Sequence, residues 1–418
     1  MSIAFYYIIP IFILTIVLLI YRTEFIYPLL LIAILLFHEE IDNTFAISIF
    51  GIGSLYFAEV FLWCSFIIFL LRMKSLNFTK EEYLFVKFLL ALYISYILSI
   101  SISQLRNPLG LNDLIQNVRT FFSELAFFST FCYIKLYGYK RFFSIIYSIF
   151  IVFNLFAITN SLISENMLHN AFLGFTTSFI IVYTFYLYFN TKMNRFLLIA
   201  LFLFTGISIS LPFLGSTRGA IISVTLTIVF VTYYFSIIKH RFTYLILLFP
   251  FIILSALIAY NNFETDLFYS HMGSTSIFDI VTTTLSSKES AMNFRDVIWE
   301  TLLEKFQENP LFGAGYFEQI KYGGIFYTAL MAHNYFIYRL AAGGLLQFVF
   351  VSFVYFNIFK KIFKSDKTKF IIIIAISNII AVIVINFTNV FFSSFSSGSI
   401  IWAVMGASTF ILYSENVS

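Results

Sequence analysis

The sequence predicts an all-α polytopic membrane protein with about 12–14 transmembrane helices and one large, partly helical extracytoplasmic loop late in the chain. Two observations predict this fold class. Of the 418 residues, 60% are hydrophobic and only 11% are charged, whereas about 25% of a soluble domain is charged. Apolar runs also follow one another along most of the chain, and roughly 20 apolar residues in a helix cross the hydrocarbon core.

Apolar runs of suitable length define the predicted spans. They cover residues 3–21, 24–38, 44–71, 82–104, 115–135, 141–162, 168–190, 195–214, 217–238, 243–260, 334–359, 370–390 and 398–413. We therefore expect a transmembrane bundle at 1–260 with the first ten spans, an extracytoplasmic loop at 261–333 packed on the bundle, and C-terminal spans at 334–418.

Basic residues predict the orientation of these spans. Lysines and arginines cluster in five loops that fall on one side if the spans alternate, at residues 72–80, 135–141, 192–195, 239–241 and 360–369. The positive-inside rule places that side in the cytoplasm. A bacterial cytoplasmic membrane is the expected location, with the C-terminus inside and the large loop outside.

Composition also excludes several function classes. The formal charge of +4 is spread over short clusters between apolar runs, which does not favour nucleic acid as a partner. Cysteines and histidines lack the spacing of a metal site, so neither a metal nor a cofactor is expected. The lipid bilayer is the first expected partner.

Arg218 is a candidate anion ligand. It lies in Gly215-Ser-Thr-Arg-Gly-Ala220 between two apolar runs, where backbone N–H groups at a helix start and a guanidinium together favour an anion. Arg119 and Glu124 are five residues apart, which is a poor spacing for a pair on one helix. Each is expected to face a neighbouring helix or a polar cavity.

The segment from Arg295 to Gly315 predicts an amphipathic helix followed by a turn. Arg295 precedes Trp299 by one helical turn, and the intervening residues supply an apolar face. Asn309-Pro310 is expected to end the helix. Trp299 is suited to stacking on a sugar face or to membrane-interface packing. The glycines at 313 and 315 permit a tight turn.

His333 and Asn334 stand at the entry to the span predicted at 334–359. A histidine near an interface is often structural, but nearby guanidinium groups favour the neutral imidazole, which accepts a proton. Arg339 lies inside the same span, which is an unusual place for a charge. We expect a role in substrate binding for Arg339 and Asn334.

The motifs together resemble those of the O-antigen polymerase and ligase superfamily. The similar stretches are Ser216-Thr-Arg-Gly-Ala220, Arg295-x-x-x-Trp299, Asn309-Pro-Leu-Phe-Gly-Ala-Gly315, His333-Asn334 and Gly343-Gly344. They cover roughly residues 205–350, in the order the superfamily has them. The adjacent pair Gly343-Gly344 departs from the superfamily's Gly-x-x-Gly pattern.

The resemblance implies a metal-independent inverting glycosyltransferase that uses polyprenyl-diphosphate-linked oligosaccharides as donor and acceptor. It implies that His333 is the catalytic base and that Arg218, Arg295 and Arg119 bind the donor diphosphate. It also implies flippase and chain-length regulator proteins as partners. A repeat-unit polymerase for O-antigen or capsule is the leading interpretation. An O-antigen ligase, a protein O-oligosaccharyltransferase, a polysaccharide-unit flippase or other transporter, and a non-catalytic membrane scaffold remain open.

Overall fold

The computed structural model describes the chain in segments, and all structural statements concern those residues. They are residues 17, 20–25, 27–28, 31, 47–49, 53–55, 57–106, 111–163, 171–191, 193–214, 218–235, 295–315, 320–322, 325–327, 334–366, 368–388 and 395–414.

Helices make up most of the described chain. In order they are α1 (Phe57–Leu71), α2 (Lys80–Arg106), α3 (Leu111–Tyr137), α4 (Tyr139–Ile163), α5 (Ala171–Asn190), α6 (Arg195–Leu214), α7 (Arg218–Tyr233), α8 (Arg295–Glu308), α9 (Tyr335–Lys364), α10 (Phe370–Thr388) and α11 (Phe395–Tyr413). Two short antiparallel hairpins accompany them, β1 (Ile47–Ile49) with β2 (Gly53–Leu55) and β3 (Ile320–Tyr322) with β4 (Ile325–Tyr327).

Length and apolarity suit several of these helices to a membrane. Within the described residues, five segments qualify as spans: Lys80–Arg106, Tyr139–Thr159, Phe172–Asn190, Arg195–Pro212 and Tyr335–Lys364. Shorter apolar helices occur at Phe61–Leu71, Ala220–Tyr233, Phe370–Asn386 and Gly398–Tyr413. The predicted all-α polytopic membrane fold is confirmed.

Most predicted spans coincide with helices. The runs from 82–104 to 217–238 correspond to α2 through α7, and the last three correspond to α9 through α11. The runs 3–21, 24–38 and 243–260 lie largely or wholly outside the described residues. The span predicted at 44–71 is wrong in its first half, because Ile47–Ile49 pairs as a strand with Gly53–Leu55 and α1 begins at Phe57. Glycine costs a helix about 1 kcal/mol relative to alanine, so Gly51 and Gly53 disfavour a helix there.

The chain divides into two compact units, which are described separately. Unit 1 comprises Met1–Ile149, Leu302–Asp366 and Val390–Ser418, and unit 2 comprises Phe150–Thr301 and Lys367–Asn389. The predicted boundaries at 260 and 333 stay a prediction. Residues 261–294 and 328–333 of the predicted loop lie outside the described residues, so the packing of that loop on the bundle stays a prediction.

Unit 1 is built on α3, which packs against α1, α2 and α11, while α9 packs along α2. Its core is strongly aromatic. The ring centroids of Phe127 and Trp402 lie 5.9 Å apart, and those of Phe131 and Phe410 lie 5.2 Å apart. Both pairs pack edge to face between α3 and α11. Aromatic pairs of this geometry add about 0.5–1.5 kcal/mol to the apolar area they bury.

Unit 2 is built on α5, which packs against α6, α7 and α10. Phe150 sits among the rings of α5, 5.2 Å from Phe179 and edge to face with it. A buried amide satisfies the polar groups between α4 and α5: Asn154 donates to Thr177 Oγ1 at 3.2 Å and accepts from Thr176 Oγ1 at 2.7 Å. Buried polar groups need such partners in an apolar environment.

Basic clusters meet at one end of unit 1. Lys135 pairs with Glu82 at 2.9 Å, and Lys361 pairs with Glu81. These contacts bring the clusters at 72–80, 135–141 and 360–369 to the same end, as the alternation of spans predicts. The assignment of that end to the cytoplasm stays a prediction.

Candidate functional site: a re-entrant half-helix

Helix α9 is broken at its glycine pair, and the chain reverses there. Gly344 has φ 69° and ψ −170°, which interrupts the helix. Phe336 and Tyr355 lie on either side of the break with ring centroids 5.4 Å apart. In a continuous helix, 19 residues would separate them by about 28 Å. Residues 335–343 therefore form a re-entrant half-helix, which folds back along the long half at residues 344–364.

The docking segment, residues 309–315, satisfies both ends of the break. The N–H groups of Ala314 and Gly315 donate to the carbonyls of Ala341 and Ala342, at 2.9 and 3.1 Å. The N–H groups of Leu345 and Leu346 donate to the carbonyls of Pro310 and Leu311, at 2.8 and 3.1 Å. Helix ends leave backbone groups without partners, and a broken helix at membrane depth is stable only where protein supplies them.

Glycine is required where the docking segment meets the break. A Cβ on Gly344 would touch the Gly313 nitrogen and the Leu311 carbonyl, and a Cβ on Gly313 would overlap the Ala342 carbonyl. Both glycines also have positive φ, 69° and 75°, a region that other residues rarely adopt. The predicted turn at Gly313 and Gly315 is confirmed, and its purpose is close backbone contact with α9.

Helix α2 holds this junction through polar side chains. Ser99 Oγ donates to the Gly343 carbonyl at 3.0 Å, and Ser103 Oγ donates to the Ala314 carbonyl at 3.1 Å. One turn further along α2, Arg106 donates to the side-chain oxygen of Asn309. The two serines were not among the residues predicted from the sequence. Their spacing of four residues, which places both on one helix face, was the available signal.

A buried ion pair fastens the half-helix inside unit 1. Arg339 Nη2 pairs with Glu124 Oε1 of α3, and their side chains are 0% and 2% exposed. Arg339 Nη1 also donates to Gln347 Oε1 in the long half, at 3.4 Å. The guanidinium lies 4.6 Å from the centre of the Tyr96 ring, a distance at which a cation is attracted to the ring face. Glu124 thus faces a neighbouring helix, as predicted.

Gly343 depends on the same cluster, since a Cβ there would overlap the side chain of Gln347. The folded-back Gln347 links the long half to Arg339 across the break. Gly344 permits the reversal of the chain, and Gly343 leaves room for the side-chain amide of Gln347. This division of roles explains why the two glycines are adjacent.

Asn334 caps the half-helix. Its side-chain oxygen accepts from the N–H groups of Phe336 and Ile337, at 3.0 and 3.2 Å, the usual N-cap arrangement. The next residue, Tyr335, donates to Glu124 at 3.5 Å. The hydroxyl of Tyr93, the middle residue of α2, donates to the Glu124 carbonyl at 2.7 Å.

Asn334 therefore stands at the start of the helix, as predicted, but the expectation of a continuous span over 334–359 is wrong, because Gly344 interrupts it. Hydropathy does not distinguish one long span from a span with a half-helix folded back on it. The cap is 7% exposed and lies within the bundle. His333, the preceding residue, lies outside the described residues.

For the predicted diphosphate ligands, the structure describes only the backbone positions. Arg218 begins α7, as predicted, and Arg295 begins α8, which ends at Glu308 immediately before Asn309-Pro310. Arg119 lies in α3. The side chains of these three arginines lie outside what is described, so their convergence stays a prediction. Trp299 is half-buried in α8.

Small residues set the packing of α7 in unit 2. A Cβ on Gly174 of α5 would overlap the backbone and side chain of Ala220. The first turn of α7, which carries Arg218, therefore lies directly against α5. Close approach through small residues is the usual way that membrane helices pack.

A comparison with known families accounts for these motifs together. The model of the O-antigen ligase family matches residues 203–352. The resemblance to the polymerase and ligase superfamily is thereby confirmed. No curated protein matches the chain significantly.

The matched stretch contains most of the candidate residues. Arg218, Arg295, His333, Asn334 and Arg339 lie within it, as do the docking segment and the glycine pair. The residues that contact the half-helix and the docking segment lie outside the matched stretch, because Glu124, Ser99 and Ser103 belong to α2 and α3. Unit 1 thus combines residues of the matched stretch with earlier helices that hold the broken helix α9.

Proposed function

We propose that this protein is an inverting glycosyltransferase that polymerises polyprenyl-diphosphate-linked oligosaccharide repeat units at the outer face of the cytoplasmic membrane. The observation that carries the proposal is the match of the O-antigen ligase family to residues 203–352, the stretch that holds the motifs described above. The packing of the docking segment against the glycine pair supports it, because two separate motifs then serve one structural purpose.

The proposed reaction is a displacement at the anomeric carbon. The acceptor hydroxyl oxygen attacks that carbon from the face opposite the diphosphate, the C–O bond to the diphosphate breaks, and the polyprenyl diphosphate leaves. His333 takes the proton of the acceptor hydroxyl as general base. Backside attack inverts the anomeric centre.

Arginines suit the leaving group. A diphosphate departs as a stable anion, so guanidinium groups that neutralise its growing charge stabilise the transition state without a metal. Arg218, Arg295 and Arg119 fill this role in the proposal. Arg339 has a different one: its charge is already neutralised by Glu124 within the bundle, which suits it to holding the half-helix in place.

The half-helix supplies the rigidity that the proposed base requires. Asn334 caps it, and its far end is fixed by the hydrogen bonds of the docking segment. His333 is the neighbour of that cap in sequence. A general base must be held within hydrogen-bond reach of the proton it removes, and a base beside a fixed helix cap meets that demand better than one in a free loop.

A ligase that transfers finished glycan to another acceptor is the second candidate, and the description of the matching family favours it. Deletion of the gene distinguishes the two. A polymerase deletion leaves surface glycan of a single repeat unit, whereas a ligase deletion leaves no surface glycan and lipid-linked polymer accumulates. Glycan of normal length in the deletion strain would contradict both candidates.

A further inference from the structure

A pocket opens at the basic end of unit 1, far from the glycine pair. It is formed by α2, α9 and α11. Lys360, Lys361 and Lys364 line it together with Asn357, and Leu84 and Phe85 form its apolar wall. Its composition is amphipathic, with cations on one side and hydrocarbon on the other.

The positive charge in this pocket exceeds the negative charge. Among the described residues that line it, Glu81 is the acidic one, and it pairs with Lys361. Lys361 also lies over the ring of Tyr413 at 4.5 Å from the centroid. Lys360 and Lys364 make no ion pair with the described residues, and the single carboxylate of Glu81 faces all three ammonium groups, so the positive charge among these residues exceeds the negative charge. Lys360 and Lys364 are four residues apart on one helix face, where like charges repel unless an anion lies between them.

The surroundings of the pocket are those of a lipid-facing surface. Leu84 is 53% exposed, and Phe363, on the same turns of α9 as the lysines, is 76% exposed. Such apolar exposure on a long apolar helix is suited to acyl chains. An ammonium pair beside it is suited to a phosphate, and basic residues at membrane ends attract anionic lipids.

We propose that this pocket binds an anionic phospholipid, with its phosphate between Lys360 and Lys364 and its acyl chain against Leu84 and Phe85. Asn357, which also lines the pocket, donates its amide nitrogen to the Phe353 carbonyl at 2.8 Å, and its side-chain oxygen is an acceptor for the lipid glycerol in this proposal. The bound lipid joins α2, α9 and α11 at the end opposite the half-helix.

The test uses the purified full-length protein in nanodiscs of phosphatidylcholine doped with phosphatidylglycerol. Native mass spectrometry counts retained lipids, and thermal unfolding reports stabilisation. The double variant Lys360→Gln/Lys364→Gln is expected to bind phosphatidylglycerol about 25-fold more weakly than the wild type, from roughly fivefold for each lysine. Its unfolding in pure phosphatidylcholine is expected to match the wild type.

The matched control is Lys74→Gln/Lys140→Gln, which removes two exposed lysines of the same protein outside the pocket. It is expected to retain the wild-type affinity. Equal losses in both double variants would overturn the proposal, since binding would then depend only on net charge. Stabilisation by inorganic phosphate or glycerol phosphate as strong as by phosphatidylglycerol would overturn it as well, because the site would then bind a small anion.

Discussion

Replacing Gly344 by alanine tests whether the docking segment holds the broken helix. The alanine must adopt φ near 69°, which costs about 1–2 kcal/mol for a residue with a Cβ. Its Cβ also meets the Gly313 nitrogen and the Leu311 carbonyl, and such overpacking costs about 1–3 kcal/mol. We therefore expect a loss of about 2–5 kcal/mol in the free energy of unfolding.

Gly138→Ala is the matched control. Gly138 has φ 81°, and a Cβ at this position would meet no atom within 4 Å. Gly138→Ala is therefore expected to cost only the energy of the left-handed backbone conformation, about 1–2 kcal/mol, with no overpacking. Denaturant titration of each purified variant in mixed micelles measures the difference. Equal losses in the two variants would refute the close packing of the docking segment against the break. A larger loss at Gly344, with shorter glycan chains, is the expected result.

Three further predictions concern the half-helix and the proposed diphosphate-binding arginines. Arg339→Met is expected to lower the free energy of unfolding by about 3–5 kcal/mol, because it leaves a buried carboxylate unpaired. In a double-mutant cycle, adding Glu124→Gln is expected to restore about 1–3 kcal/mol of that loss. Strictly additive losses would contradict the pairing of Arg339 with Glu124. Cysteines replacing Phe336 and Tyr355, in a background without native cysteines, are expected to cross-link with a short bifunctional reagent, whereas a continuous helix of about 28 Å between them would not. Arg218→Lys is expected to lower kcat/KM by about 10–150-fold, because the bidentate hydrogen bonds are lost. The rate is measured on lipid-linked substrate at matched protein levels. A wild-type rate would show that Arg218 does not bind the donor diphosphate.

Local signals allowed several elements to be predicted. The interruption before Arg218 and the Asn309-Pro310 pair mark a helix start and a helix end, and the structure has both. Such boundaries depend on residues within one turn of each other. The turn at Gly313 was predicted for the same reason.

Long-range contacts were not predictable in the same way. The pairing of Arg339 with Glu124 joins α9 to α3, and neither residue has a neighbour in sequence that reveals its partner. The reversal at Gly344 also escaped the hydropathy pattern, because both halves of α9 are apolar. Glycine pairs mark a helix break, but only the docking segment, distant in sequence, determines that the chain folds back.

The most direct test of the proposed function is the reaction of the purified protein with a single lipid-diphosphate-linked repeat unit, in the presence of a metal chelator. The wild type is expected to produce a ladder of longer lipid-linked glycans whose new linkage, by nuclear magnetic resonance, has the opposite anomeric configuration to the donor. His333→Ala is expected to produce none while it keeps the wild-type unfolding profile. A ladder from His333→Ala, or a new linkage with retained configuration, would contradict the proposed reaction.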